Sequence, residues 1–219
     1  MHFFGMSHPF KANQTLLFIG DSITDCGREH PVGQRWNSLG GGYVSFVDSI
    51  LGAEMPGTPI SVLNTGISGN RVTDLESRWQ SDVLDLEPNW LSVMIGINDV
   101  WRQFDSGPGA EQVEPEKVEV VYRSLLVKTR SRLDGLILMT PYYLEKKRED
   151  PMRARMDAYG AIIKKLAVDF DAIFIDTQIA FDRYLAHQPT ESLCDDRVHP
   201  NGIGHMILAR AFLSALGLS

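Results

Sequence analysis

The stretch Leu16-Leu17-Phe18-Ile19-Gly20-Asp21-Ser22-Ile23-Thr24 opens with four unbroken apolar residues, stops at a glycine and turns polar. An apolar run without alternation suits a strand covered on both faces, as in a parallel sheet. Four further short apolar runs follow, most of them continuous: Ile60-Ser61-Val62-Leu63, Trp90-Leu91-Ser92-Val93-Met94-Ile95, Leu136-Ile137-Leu138-Met139 and Ala172-Ile173-Phe174-Ile175. Turn residues around them favour strand over buried helix, which short runs alone do not decide.

The segments between read as helices. Val72, Leu75, Trp79, Val83 and Leu86 fall at spacings of 3, 4, 4 and 3 and form one apolar stripe. Thr73-Asp74-Leu75-Glu76 has the form of a capping box for that helix. Met156, Tyr159, Ile163, Leu166 and Phe170 repeat the pattern, as do Ile203, Ile207, Ala211 and Ala215, and Val118 to Leu133 reads as another helix. Strands alternating with helices predict a three-layer α/β/α sandwich around a five-stranded parallel sheet, with right-handed crossovers. A doubly wound, flavodoxin-like strand order is expected. A chain of 219 residues fits one domain over 1–219, and no internal repeat, low-complexity tract or linker divides it. The irregular stretches are 27–42, with five glycines, and 103–115; the charged run from Glu145 to Arg155 reads as a solvated loop and helix start.

Composition excludes several classes. With 43% hydrophobic and 22% charged residues the chain is an ordinary globular protein with ample core material. A net charge of -7 argues against a general nucleic-acid binder or a binder of anionic membranes. Cys26 and Cys194 stand far apart and outside any C-x-x-C arrangement, so two free thiols in a reducing compartment are expected. The start Met1-His2-Phe3-Phe4-Gly5-Met6 lacks the n- and h-regions of a signal peptide. No run approaches the roughly 20 apolar residues that cross a bilayer. A cytoplasmic location is the expectation.

In a parallel sheet the carboxyl ends of all strands share one edge, and ligands bind in the crevice there. Gly20-Asp21-Ser22 follows the first strand, Asn64-Thr65-Gly66-Ile67-Ser68-Gly69-Asn70 the second, Gly96-Ile97-Asn98-Asp99 the third, Thr140-Pro141-Tyr142-Tyr143 the fourth and Asp176-Thr177 the fifth. Asp196-Arg197-Val198-His199-Pro200 precedes the final helix. These are parts for acyl transfer. A serine hydroxyl becomes a nucleophile when a base takes its proton, and neutral histidine suits that task. The base needs a third group to hold its tautomer. Asp196 lies three residues before His199, so one compact loop presents both to Ser22. The tetrahedral oxyanion needs donors already in place; the Ser22 and Gly69 backbone N–H groups and the Asn98 amide qualify.

This combination resembles the SGNH hydrolases, also called GDSL-type esterases and lipases, from Gly20 to Pro200 and with four motifs in the family's order. The resemblance implies catalytic roles for Ser22, Gly69, Asn98 and His199, places the family's Asp-x-x-His on Asp196 and His199, and carries an α/β/α fold. The first motif reads Gly-Asp-Ser-Ile in place of Gly-Asp-Ser-Leu, and the Gly-x-Ser-x-Gly elbow of α/β-hydrolases is absent because Thr24 occupies its last position. Within the family, Asp-Ser-Ile-Thr-Asp-Cys-Gly and Met-Ile-Gly-Ile-Asn-Asp-Val-Trp-Arg look most like bacterial intracellular acetyl esterases acting on xylo-oligosaccharides. That likeness implies a small-molecule acetyl ester, a carbohydrate, as substrate and a homo-oligomer as the assembly.

Each motif taken singly has a plainer role: Gly20-Asp21-Ser22 as a helix N-cap, Gly69 and Asn98 as turn residues, Asp196 to His199 as a solvated loop. Their joint occurrence at strand ends carries the catalytic reading. Asp21 and Asp99 read as loop braces. Arg71, Trp101, Arg102 and Tyr142 flank the motifs and line a sugar or acyl site or else pack. His205 reads as packing or surface. No His, Cys and carboxylate group has metal spacing and no glycine motif cradles phosphate, so neither metal nor organic cofactor is expected. The rival readings are a lysophospholipase or thioesterase for longer acyl chains, an acetyltransferase, and a non-catalytic carbohydrate-binding module.

Overall fold

The computed structural model describes residues 8–33, 37–105 and 112–218. Residues 34–36 and 106–111 of the two irregular stretches, and the amino-terminal residues 1–7, lie outside the described residues. Five strands, β1 (Thr15–Gly20), β2 (Ser61–Asn64), β3 (Trp90–Met94), β4 (Gly135–Met139) and β5 (Ile173–Ile175), form one sheet in the order β2-β1-β3-β4-β5. All four pairings are parallel. This is the flavodoxin-like order, whose switch point lies between β1 and β3.

The apolar runs become strands because helices cover both faces. Every residue of β3 and β4 is buried, as is β1 beyond its first residue, whereas the outer strands β2 and β5 are half-buried. Eight helices are described: α1 (Ser22–Asp25), α2 (Tyr43–Glu54), α3 (Val72–Asp82), α4 (Ile97–Asp105), α5 (Pro115–Thr129), α6 (Pro151–Asp169), α7 (Thr177–Leu185) and α8 (Gly202–Ala215). One row packs α2, α8 and α7 together, and the other runs α3, α5, α6 and α4. Among the described residues no helix is long and apolar enough to cross a membrane.

Local chemistry corrects three readings. Helix α3 is stapled by Asp74, whose carboxylate accepts the Arg71 backbone N–H at 2.7 Å, so the cap sits two residues earlier than Thr73 and Glu76 suggest. Helix α8 buries His205, Leu208, Ala209, Phe212 and Leu213, and leaves Ile203 exposed. Two apolar stripes compete on that helix, and the one with Phe212 and two leucines removes more apolar surface from water. Within the charged run, Arg153 is buried, with Asp182 accepting from its guanidinium at 2.9 and 2.8 Å and Asp157 from its Nε at 2.9 Å. A buried cation is tolerated because carboxylates pair it.

Candidate active site

Asp21 follows β1 directly and caps α1, its side chain accepting the Ile23 N–H at 3.0 Å. Ser22 is therefore the first residue of a helix, where backbone N–H groups have no intrahelical acceptor. Its hydroxyl stands at the carboxyl end of the central strands. His199 lies 177 residues away in sequence, yet its Nε2 is 2.8 Å from Ser22 Oγ.

The loop carrying His199 is folded by its own aspartate. One Asp196 oxygen accepts the backbone N–H groups of Val198 and His199, both at 2.9 Å; the other lies 2.6 Å from His199 Nδ1. Asparagine and aspartate close turns in this way. Arg197 adopts a left-handed backbone (φ 64°) that doubles the chain back, and its side chain pairs with Glu145 at 2.9 Å. Partial burial works to raise the Asp196 pKa, but the His199 side chain and the two backbone donors outweigh it and hold the carboxyl below its ordinary value. An ionised Asp196 accepts a hydrogen bond from Nδ1–H and so holds the ring proton on that nitrogen, which leaves Nε2 free to accept from the Ser22 hydroxyl.

The β2 loop closes the other side. Gly66 presses on α1 so tightly that a Cβ would come within 2.4 Å of the Asp25 backbone nitrogen. Gly69 has φ +82° and faces open space, so a side chain there would be strained and would project where a ligand approaches. Asn98, in the first turn of α4, is buried and donates through Nδ2 to the Asn70 carbonyl at 3.0 Å. Its amide carries a second hydrogen. Asp99 accepts the Val72 N–H through both oxygens, at 3.1 and 3.2 Å, tying the start of α4 to that of α3. Burial pushes the pKa of Asp21 and of Asp99 up to about 7, and for Asp21 the neighbouring Asp99 adds to the effect. Both act as braces in this geometry.

Ser22, Gly69, Asn98 and His199 line one cleft of about 560 Å³. Trp101 and Arg102 line it as well; the indole lies 5.9 Å from the His199 ring, and the Arg102 guanidinium sits 6.0 Å over the indole. Tyr142 does not reach the cleft. It is fully buried against Phe181, and its hydroxyl donates to the Val198 carbonyl at 3.1 Å, so it props the histidine loop from behind. Arg71 is not among the lining residues either; it stands at the start of α3 with its N–H on Asp74. Conversely, Ile23, Cys26, Pro200 and His205 line the cleft without having been singled out for it. Cys26 caps the end of α1 in a left-handed backbone (φ 41°), its N–H donating to the Ser22 carbonyl at 2.9 Å, which brings it one turn from Ser22. His205 Nδ1 accepts the Tyr43 N–H at 3.2 Å and its Nε2 lies 3.4 Å from Cys26 Sγ. Burial, aided by His199, pushes the His205 pKa down to about 4, and burial pushes the Cys26 thiol up. Among the described residues no three metal-ligating side chains come together.

Residues 18–207 match the GDSL-like lipase/acylhydrolase family. The chain belongs to that family. As a GDSL-like acylhydrolase it is a carboxylic-ester hydrolase. It is 49% identical over 208 residues to the acetylxylan esterase of Geobacillus stearothermophilus, an alignment covering 94% of this chain and 95% of the relative. The crystal structure of Axe2, an acetylxylan esterase from the same organism, superposes with a TM-score of 0.94 at 48% identity, covering 96% of this chain and 97% of that one. An alpha/beta hydrolase from the metagenome of Lake Arreo, Spain, gives 0.95 at 44% identity, covering 97% and 99%. Solved forms of Axe2 include catalytic mutants of a serine, an aspartate and a histidine, the latter two three residues apart.

Proposed function

We propose that this GDSL-like hydrolase removes acetyl groups from xylo-oligosaccharides through an acyl-enzyme on Ser22. One observation carries the reading: the Ser22 hydroxyl, the His199 imidazole and the Asp196 carboxylate stand in line at 2.8 and 2.6 Å, in a cleft that Gly69 and Asn98 also line. The acetylxylan activity of the Geobacillus relative, and its catalytic mutants at the same three residue types, support the assignment.

In the first half-reaction Nε2 of His199 takes the hydroxyl proton as Ser22 Oγ bonds to the ester carbonyl carbon. The carbonyl oxygen gains charge and is met by the Ser22 N–H, the Gly69 N–H and the Asn98 amide. Asp196 stabilises the imidazolium, which then protonates the departing sugar oxygen. Water attacks the acetyl-serine by the same route and releases acetate. Trp101 supports a sugar leaving group, because its indole lies beside the ring that protonates that oxygen, and Arg102 flanks it.

Acetate release from acetylated xylo-oligosaccharides, acetylated monosaccharides and lysophospholipids tests the substrate class, together with a chain-length series of p-nitrophenyl esters. Highest kcat/KM on the xylo-oligosaccharides and on the acetate ester is the expected outcome. A preference for C8 and longer chains would overturn it in favour of a lysophospholipase or thioesterase, and transfer of acetyl to added sugar faster than to water would make the protein a transferase. The same reading carries the expectations of a homo-oligomer and of a cytoplasmic site of action. A monomer in sedimentation velocity removes the first, and recovery outside the cytoplasmic fraction removes the second.

A further inference from the structure

The Arg78 guanidinium joins the end of β1, just before Ser22, to the loop that carries Gly69. It lies on α3, its side chain 12% exposed, and makes three hydrogen bonds to the carboxyl edge of the sheet and one to Asp82 on its own helix. Its Nη2 donates to the Gly20 carbonyl at 3.0 Å, two residues before Ser22. Its Nη1 donates to the Thr65 carbonyl at 2.6 Å, at the root of the loop that carries Gly69, and to Asp82 at 2.7 Å. Its Nε donates to the Asn70 side chain at 2.7 Å, on the residue after Gly69. The backbone carbonyl of that same Asn70 receives the Asn98 amide at 3.0 Å. The Gly20 carbonyl also accepts the Ile67 N–H at 3.1 Å, so the two loops meet at the atom Arg78 holds.

We propose that Arg78 is a positioning residue, whose guanidinium sets the three oxyanion donors at Ser22, Gly69 and Asn98 in register with one another. The proposal rests on the assignment of those donors made above. The physical ground is that such donors work only when fixed beforehand, since reorganising them during the reaction forfeits their benefit. A planar fork with donors in fixed directions can fix several acceptors at once, which a single ammonium on a flexible stem cannot. Asp82 balances the charge, so the fork stays in place without drawing an ion from solvent. Arg78 touches no substrate atom in this account and acts only through the backbone it holds.

The test compares the wild-type chain with Arg78→Lys, active sites being counted by complete fluorophosphonate labelling so that misfolded protein drops out. Turnover of p-nitrophenyl acetate per labelled site should fall on the order of 10- to 100-fold, the scale of a small misplacement of catalytic groups, with KM within about threefold. The Ki of a boronic acid that forms a tetrahedral adduct with the serine should rise in parallel. A role confined to folding would lower the thermal midpoint and the labelled fraction but leave both quantities per labelled site unchanged. Turnover within about twofold of wild type, or a loss of kcat without a matching loss of boronate affinity, overturns the proposal. Should Arg78→Lys not fold, Asn70→Ala cuts the Nε link while keeping the backbone carbonyl that Asn98 uses; a roughly threefold or larger rise in boronate Ki is expected, and an unchanged Ki overturns it. If wild-type Ser22 itself resists labelling, the underlying site assignment fails, a result distinct from either of these.

Discussion

At the amino-terminal end of the sheet, Gln14, Asn89 and Asp134 bond to one another and to the strand starts. Gln14 donates to Asp134 at 2.6 Å and accepts from the Trp90 indole at 3.2 Å, while the Asn89 side chain accepts the Thr15 N–H at 2.9 Å and its carbonyl the Asp134 N–H at 2.8 Å. At the carboxyl end polar residues are arranged with groups to spare. Asn98 gives one amide hydrogen to Asn70 and keeps another at the cleft, and Ser22 and His199 meet where a ligand can enter. The first set spends its polar groups on the fold, since buried groups need partners. The second is braced from below by Asp21, Asp99 and Arg78 and left open above. Polar residues at strand ends thus acquire chemistry through what their neighbours leave unsatisfied as well as through their type.

Substitutions at the two ends sharpen that contrast. Ser22→Ala should cost at least about 10³-fold in turnover of p-nitrophenyl acetate with the thermal midpoint unchanged; retained turnover would show that the nucleophile lies elsewhere. Next in size, Asn98→Ala should lower kcat by about 10²–10³. Its counterpart Asn89→Ala should leave kcat alone and lower stability by about 1–3 kcal/mol, because the Thr15 N–H loses its partner. Equal kcat losses in the two asparagine variants, measured per labelled site, would erase the distinction between the ends.

A smaller effect separates the buried groups by pH. Asp99 has a pKa of about 7 folded against 3.8 unfolded, so the unfolded chain gives up its proton first. Its contribution to stability is full below pH 3.8, declines as pH rises towards 7 and is constant above. His205 runs the opposite way: with about 4 folded against 6.5 unfolded, its contribution is full above pH 6.5 and is lost as pH falls towards 4. The midpoint of Asp99→Asn should therefore climb relative to wild type between pH 4 and 7. That of His205→Asn should climb relative to wild type as pH falls from 6.5 to 4. A pH-independent difference in either pair contradicts the burial that sets these values. Smallest of all, Tyr142→Phe should cost about 1 kcal/mol of stability by freeing the Val198 carbonyl, measured by urea unfolding.

How much of this was legible in sequence follows from how local each signal is. The five strands were readable because a short, mostly apolar run bounded by turn residues is a local pattern; the flavodoxin-like order, which alternation alone does not dictate, matches the observed one. Ser22, Asp196 and His199 stood in short motifs, and the structure brings them within contact. The buried face of α8 was not readable, since two stripes of similar apolarity run along it. Tyr142 followed a strand as the motif residues do, but pointed inward onto Phe181, a choice set by packing. Arg78 left no trace at all: three of its partners are two backbone carbonyls and one side chain, from a strand end and a loop up to 58 residues away, and backbone atoms have no letter in a sequence.

The small turn from Asp196 to His199 has a mechanical consequence. Because the aspartate grips the backbone of the turn with one oxygen and the ring with the other, carboxylate and imidazole travel as a single tile. When that tile tilts, its internal spacing survives and only the gap to the Ser22 hydroxyl widens, making this gap the joint at which the catalytic line would open first.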